Sequence, residues 1–337
     1  MFLCTLGQCN NAAERVGVER GVKKVLVTGC AGFIGSRVAR ELTRRGVEVV
    51  GVDTFDPFYD PRLKRENLAD VELASLHEAD ITDEAAMQRV FEGARPEAVV
   101  HLAAKAGVRP SLADPVGYAR TNVVGTQVVL SACARAGVGR VVVASSSSVY
   151  GNNRKTPFAE SDAVEEPVSP YAATKRASEL LAFTHWSATR IPTACLRFFT
   201  VYGPRQRPDL AIMGFMRRIA VGEPITMFGD GSMAREFPYS DDIVSGVLAA
   251  LERVESHGFR IWNLGSDRPV RLDALIDAVA RTVGRSPTVE RRPTPPGDVE
   301  RTWADLTRSR AELGYAPGVA LEEGLARQWA WLRPRLG

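Results

Sequence analysis

Between Lys24 and Ser145, short apolar runs alternate with longer segments in which apolar residues recur at helical spacing. The apolar runs fall at 24–28, 48–53, 73–77, 98–102 and 140–145, the third being the weakest. That alternation predicts strands joined by crossover helices, hence an α/β fold: a doubly wound parallel sheet with helices on both faces. Gly117 to Ala136 reads as one long helix, and Ser169-Pro170 opens another, with Ser169 as N-cap and Pro170 at the first helical position. After Thr200 the regular alternation lapses into loops and short strands, which predicts a smaller C-terminal α/β lobe. The expected organisation is a loose extension over 1–21, a nucleotide-binding domain over 22–200 that returns around 236–268, and a substrate lobe over 201–235 and 269–337.

The first strand breaks into Gly29-Cys30-Ala31-Gly32-Phe33-Ile34-Gly35, followed by a helix-forming segment from Ser36 to Arg45. A strand, a tight glycine turn and a helix N-terminus present backbone N–H groups and the positive end of a helix dipole, which suits a pyrophosphate. In this Rossmann-type reading Gly29 makes the turn, Gly32 admits the phosphate and Gly35 lets helix and strand pack closely, with Phe33 and Ile34 beside the cofactor. The second strand ends in Asp53, 18 residues past Gly35, where an acid grips a ribose. Its charge favours NAD over NADP. Asp80, after the third strand, either meets the adenine or caps the following helix, and Ile81 beside it is a candidate cofactor contact. Leu102, Ala103 and Ala104 end the fourth strand at the same edge, where ligands of such sheets bind. His101 reads as a buried structural histidine.

The fifth strand runs into Ser145-Ser146-Ser147-Ser148, hydroxyls suited to a polyhydroxylated ligand. Tyr171 and Lys175, four apart, share one helical face. A phenol near positive charge can act as a base near neutrality, and Lys175 and an oxidised nicotinamide would supply that charge. Three loops of the second half carry arginines, 202–209 and 291–301 more than one and 225–235 Arg235 alone; they are either solvated surface or a site for a diphosphate.

Composition narrows the function classes. A net charge of 43 − 40 = +3 without a long basic run argues against nucleic acid or membrane partners. Five cysteines, Cys4, Cys9, Cys30, Cys133 and Cys195, lack metal or redox spacing and read as free thiols of a reducing, cytoplasmic compartment. No metal site is expected, nor a membrane span, nor a signal peptide in Met1 to Gly21.

Together TGCAGFIG (28–35), HLAAKAGVR (101–109), Asn122 in TNVVGT, SSSSVYG (145–151), YAATK (171–175), FGDGSMAREFPYSDD (228–242) and GDVERTWAD (297–305) resemble the extended short-chain dehydrogenases/reductases acting on nucleotide sugars. The resemblance covers essentially 22–330. DTFDPFYDPRLKREN (53–67) and FFTVYGPRQRPDLA (198–211) are most similar to UDP-glucuronate 4-epimerases. The resemblance implies bound NAD, with Asn122 on the cofactor side, and a homodimer built on the long 117–136 helix. It implies Tyr171 as base, Lys175 as its electrostatic helper and Ser146 as the bridge to the sugar hydroxyl. On a UDP-sugar it implies Ser147, Ser148 and Thr200 at the hexose, Phe228 at the uracil, and Arg235, Asp298 and Arg301 at the diphosphate side. Arg207 and Arg109 are the candidate cations for a sugar carboxylate. Lys105 stands where many relatives have a neutral residue, and Pro295 where glucose epimerases place an arginine.

The reaction implied is 4-epimerisation of UDP-glucuronate to UDP-galacturonate through a transient 4-keto sugar. UDP-glucose 4-epimerase is the alternative. A dehydratase or decarboxylase needs an acid in the serine loop, where this chain has Ser147-Ser148, and a silent NAD-sensing module has no need of Tyr171 and Lys175.

Overall fold

A computed structural model describes residues 21–293 and 301–336, so most of the 1–21 extension and Asp298 lie outside the described residues. The strands are β1 (Lys24–Thr28), β2 (Glu48–Asp53), β3 (Ser75–Glu78), β4 (Ala98–His101), β5 (Arg140–Ser146), β6 (Thr193–Phe198), β7 (Ile225–Phe228), β8 (Ala234–Glu236), β9 (Phe259–Leu264), β10 (Pro269–Arg271) and β11 (Val289–Arg292). The helices are α1 (Phe33–Arg44), α2 (Pro61–Leu68), α3 (Glu84–Ala94), α4 (Val108–Ala113), α5 (Pro115–Ala119), α6 (Gly125–Ala136), α7 (Pro170–Thr189), α8 (Ala211–Val221), α9 (Ser240–Arg253), α10 (Leu272–Val283), α11 (Thr307–Leu313) and α12 (Leu321–Leu332).

Seven strands form one parallel sheet in the order β3-β2-β1-β4-β5-β6-β9. The order reverses between β1 and β4, which opens a crevice at the strands' C-terminal ends. Strand periodicity builds two cores. Val25 and Val27 face Val38 and Leu42 of α1 and Ile243 and Val247 of α9. Leu26 faces the opposite layer, with Met87 and Val90 of α3 and Val129 of α6. This double burial is why the central strands read as unbroken apolar runs. The edge strand β3 is only half-covered and starts two residues later than its weak pattern indicates.

Three expectations need correction. The first helix begins at Phe33, not Ser36, because extended Gly32 is its N-cap. The 117–136 helix starts earlier, at Pro115, and contains a π turn at Arg120–Val124 between α5 and α6. The segment 269–337 is not all lobe: Ala304, Leu306, Leu313 and Tyr315 pack into the same core as Trp262 and Leu264 of β9. Apolar residues flanking and within α11 are drawn back to the sheet by that uncovered end. The lobe proper has its own core, including Met213 and Met216 of α8, Ile225 of β7, Leu275 and Val279 of α10 and Leu325 of α12.

Candidate active site

The glycine turn is shaped by close backbone approach. Gly29 has φ +70°, its N–H donates to the Val52 carbonyl (2.7 Å), and an added Cβ would meet the Ala103 backbone at 2.7 Å. A Cβ on Gly35 would come within 2.0 Å of the Gly29 carbonyl oxygen. Gly32, Phe33 and Ile34 form the cap and first turn of α1, which has no side-chain cap. Its first N–H groups therefore remain for an anion. These features fit a dinucleotide cofactor. Asp53 ends β2, accepting from Ala31 N–H (3.0 Å) and Phe55 N–H (2.8 Å), so the same carboxylate that would meet a ribose ties the glycine turn to the next strand.

Asp80 is exposed and accepts from Thr82 N–H (2.8 Å), while Asp83 is the helix cap, so the capping alternative for Asp80 does not hold. Ile81 is buried in the α3–α6 core. His101 is a core residue between the Thr28 (2.7 Å) and Thr126 (3.1 Å) hydroxyls, and burial beside Lys175 lowers its pKa to about 3. Leu102, Ala103 and Ala104 follow it, partly buried, at the sheet edge. Asn122 is a clamp. It accepts from Lys105 N–H (2.8 Å) and donates to the Lys105 carbonyl (2.9 Å) and the Thr174 hydroxyl (3.0 Å). With both amide hydrogens committed, it shapes the loop after β4 and has none left to donate to a cofactor. Tyr118 and Arg207 each donate to the carbonyl of the neighbouring Ala106 (3.1 Å for both).

Ser146 ends β5 and caps a short 3₁₀ turn, Ser147–Tyr150, its hydroxyl accepting from Ser148 N–H (3.2 Å). Opposite it stand Tyr171 and Lys175 of α7. The Lys175 ammonium is buried and donates to the Ala144 carbonyl (2.7 Å), and burial lowers its pKa to about 8. Burial raises the Tyr171 pKa, while its hydrogen bond with Ser146 and the charge of Arg207 pull the other way. The Tyr118 ring meets Tyr171 edge-on at 6.2 Å. The sequence pattern paired Tyr171 with Lys175; the structure adds Arg207, a second cation whose charge reaches the phenol.

Arg207 projects from the loop after β6. Asp209 accepts from its Nε (2.9 Å) and Nη2 (2.6 Å), leaving Nη1 outside that fork. Thr200 is partly buried just beyond β6. Arg109 instead stacks its guanidinium 4.3 Å from the Phe228 ring centroid at the end of β7. Arg235 lies on β8, and the backbone of Arg301 bridges the adjacent Ala234, which brings these two cations onto neighbouring chain segments. Among the described residues no metal-holding cluster occurs.

Two buried groups carried no local sequence signal. Glu236 accepts from the N–H groups of Ala304 (2.7 Å) and Ser266 (3.0 Å), and burial raises its pKa to about 7. It joins β8 to both the loop after β9 and the segment that returns to the sheet. Glu179, on the helix face of Tyr171 and Lys175, is the other.

A family model described as NAD dependent epimerase/dehydratase family matches residues 25–265. The chain is 39% identical over 328 residues to a probable UDP-glucuronate 4-epimerase of Rhizobium meliloti (strain 1021), a match covering 91% of this chain and 96% of that relative. It is similar to the crystal structure of UDP-glucuronic acid 4-epimerase from Bacillus cereus in complex with UDP-glucuronic acid and NAD, with a TM-score of 0.87 and 34% identity over 93% of this chain and 99% of the other. It is also similar to UDP-glucose 4-epimerase from Thermotoga maritima with UDP-glucose, with a TM-score of 0.86 and 34% identity over 93% and 100% of the two chains.

Because Lys175 is charged in a dry environment, Lys175→Met is expected to stabilise the cofactor-free protein at pH 7. The gain is roughly 1–2 kcal/mol once the cost of an unpaired Ala144 carbonyl is set against relief of the buried charge. The sign follows from linkage: with a folded pKa of about 8 against an ordinary 10.5, the unfolded chain holds the extra proton between those values. Wild-type stability therefore rises through that window and the difference between the two proteins shrinks. Thermal melts from pH 7 to 10.5 check this, and a variant less stable than wild type at pH 7 contradicts it.

Proposed function

The chain belongs to the NAD dependent epimerase/dehydratase family, and from that premise we propose that it interconverts UDP-glucuronate and UDP-galacturonate by 4-epimerisation. The observation that carries the choice of sugar is Arg207, a cation acting on Tyr171 from a loop the resemblance sets over the hexose. NAD, held by the glycine turn and Asp53, would supply reversible hydride acceptance when bound. Tyr171 takes the C4 hydroxyl proton and later gives it back. Ser146 holds the phenol and the sugar hydroxyl in line, and the Lys175 ammonium stabilises the phenolate. Ser147, Ser148 and Thr200 are small hydroxyls suited to a 4-keto sugar that must be held in two orientations. Arg235 and Arg301 neutralise the diphosphate, with Phe228 at the uracil.

A uronate oxidised at C4 carries its carboxylate β to a ketone and loses CO₂ when the C5–carboxylate bond stands perpendicular to the carbonyl plane. Arg207 prevents that by holding the carboxylate through Nη1, its other edge being fixed by Asp209 and Ala106. The partners are the UDP-sugar and a second copy of the chain. Val116, Val124 and Leu180 are exposed apolar residues of the α5–α7 face, and covering them in a homodimer removes that surface from water. A cytoplasmic setting agrees with the buried free thiols Cys30, Cys133 and Cys195. No helix among the described residues is long and apolar enough to cross a membrane.

Two measurements test the proposal. In sedimentation analysis the protein is expected to run as a dimer that Leu180→Glu splits; a wild-type monomer removes the dimer. In steady-state kinetics kcat/KM is expected to be far higher for UDP-glucuronate than for UDP-glucose. Arg207→Ala should cost the uronate roughly 1.5–3 kcal/mol, the worth of a charged hydrogen bond, and UDP-glucose less. A wild-type preference for UDP-glucose would overturn the uronate reading, and an equal loss on both substrates would move Arg207 to the nucleotide.

A further inference from the structure

Strand β5 and helix α7 are joined at three successive strand residues. The Ala144 carbonyl accepts from Lys175, the Ser145 hydroxyl donates to Glu179 Oε1 (2.7 Å), and Ser146 bonds Tyr171. Tyr171, Lys175 and Glu179 follow one another at intervals of four, so all three lie on one helical face. Glu179 is buried and also accepts from Arg197 Nε (2.8 Å) and Nη2 (2.9 Å) and from Arg176 Nη1 (3.1 Å). Arg197 is equally buried, its guanidinium 4.7 Å from the Tyr150 ring centroid, and its Nη1 has no hydrogen-bond partner.

A buried ion pair costs desolvation that a well-packed apolar pair avoids, so stability alone is a weak reason for this one. We propose that Glu179 is a positioning residue for catalysis: it fixes the end of β5 through Ser145 and sets its negative charge against the Lys175 ammonium one helical turn away. The groups facing Lys175 bear this out. From β4 comes His101, which burial keeps neutral, and from β6 comes Cys195, whose thiol burial keeps protonated, with Arg197 behind it on Glu179. From α7 come Tyr171, Arg176 and Glu179. Glu179 is the one carboxylate among them, and its charge favours the protonated lysine while burial opposes it. With the balance point at about pH 8, loss of that carboxylate removes the charge that opposes desolvation, and Lys175 sheds its proton nearer neutrality.

This inference rests on the roles given above to Tyr171 and Lys175. Its test is the pH dependence of kcat and KM for the NAD-loaded wild type, Glu179→Gln, Ser145→Ala and Ser145→Thr, with UDP-glucuronate and UDP-glucose as substrates. Glu179→Gln is expected to move the alkaline limb of kcat down by about one pH unit with KM within about twofold of wild type. Ser145→Ala keeps the charge and loses the tether: kcat should fall about fivefold with KM and the limb in place, and Ser145→Thr should restore it. A folded Glu179→Gln protein with an unmoved limb overturns the inference, as does Ser145→Ala turning over at the wild-type rate. If Glu179→Gln does not fold, the Ser145 pair decides. A wild type inactive on both sugars overturns the underlying reading and this inference together, whereas an active wild type with unmoved variants removes the inference alone.

Discussion

A protonated amine taken out of water is the constraint on which the centre of this molecule depends. Lys175 stands on the inner face of α7, where one backbone carbonyl, that of Ala144, is its hydrogen-bond acceptor. A charge in that position is costly unless its surroundings are arranged for it. The arrangement reaches into three strands. His101 on β4 and Cys195 on β6 are held neutral by burial, and Glu179 carries the opposite charge while being itself held by Arg197 of β6 and Ser145 of β5. These cross-links offset only part of the lysine's desolvation, and they also fix the end of β5, and with it the hydroxyl that meets Tyr171.

A second set of ties brings the loops to this frame. The Ala106 carbonyl is the meeting point of Tyr118, from the helix before the π turn, and Arg207, from the loop after β6. Asn122, within the π turn, holds the neighbouring residue by both its backbone groups. An inserted helical residue at this place redirects a side chain that a regular helix would aim elsewhere, a common use of π turns at functional sites. On the lobe side Glu236 plays a similar part, its carboxylate gathering N–H groups from two separate segments. The crevice is therefore bounded by backbone that polar side chains hold from behind.

What the sequence disclosed was local. The apolar runs located the strands of the sheet, the glycine spacing located the turn, and Ser169-Pro170 located the start of α7, because each of these signals acts within a few residues. The interval between Tyr171 and Lys175 was likewise legible, being a property of one helix. Pairings between distant segments were not. Glu179 and Arg197 are 18 positions apart on different elements, and neither looks unusual until β6 is laid beside α7. The partners of Asn122 were equally hidden, since nothing in its neighbourhood names Lys105 or Thr174. The return of 304–315 to the sheet was hidden for the same reason: apolar residues declare that they are buried, but not against which core.

Under the proposed function, one site would remove hydrogen from C4 of the sugar and return it to the other face without exchange with solvent. Turnover of UDP-glucuronate deuterated at C4, in ordinary water with the NAD-loaded protein, tests it most directly. Mass spectrometry of the UDP-galacturonate formed should show the deuterium retained at C4. Product in which that deuterium has been replaced by hydrogen from water would contradict the account.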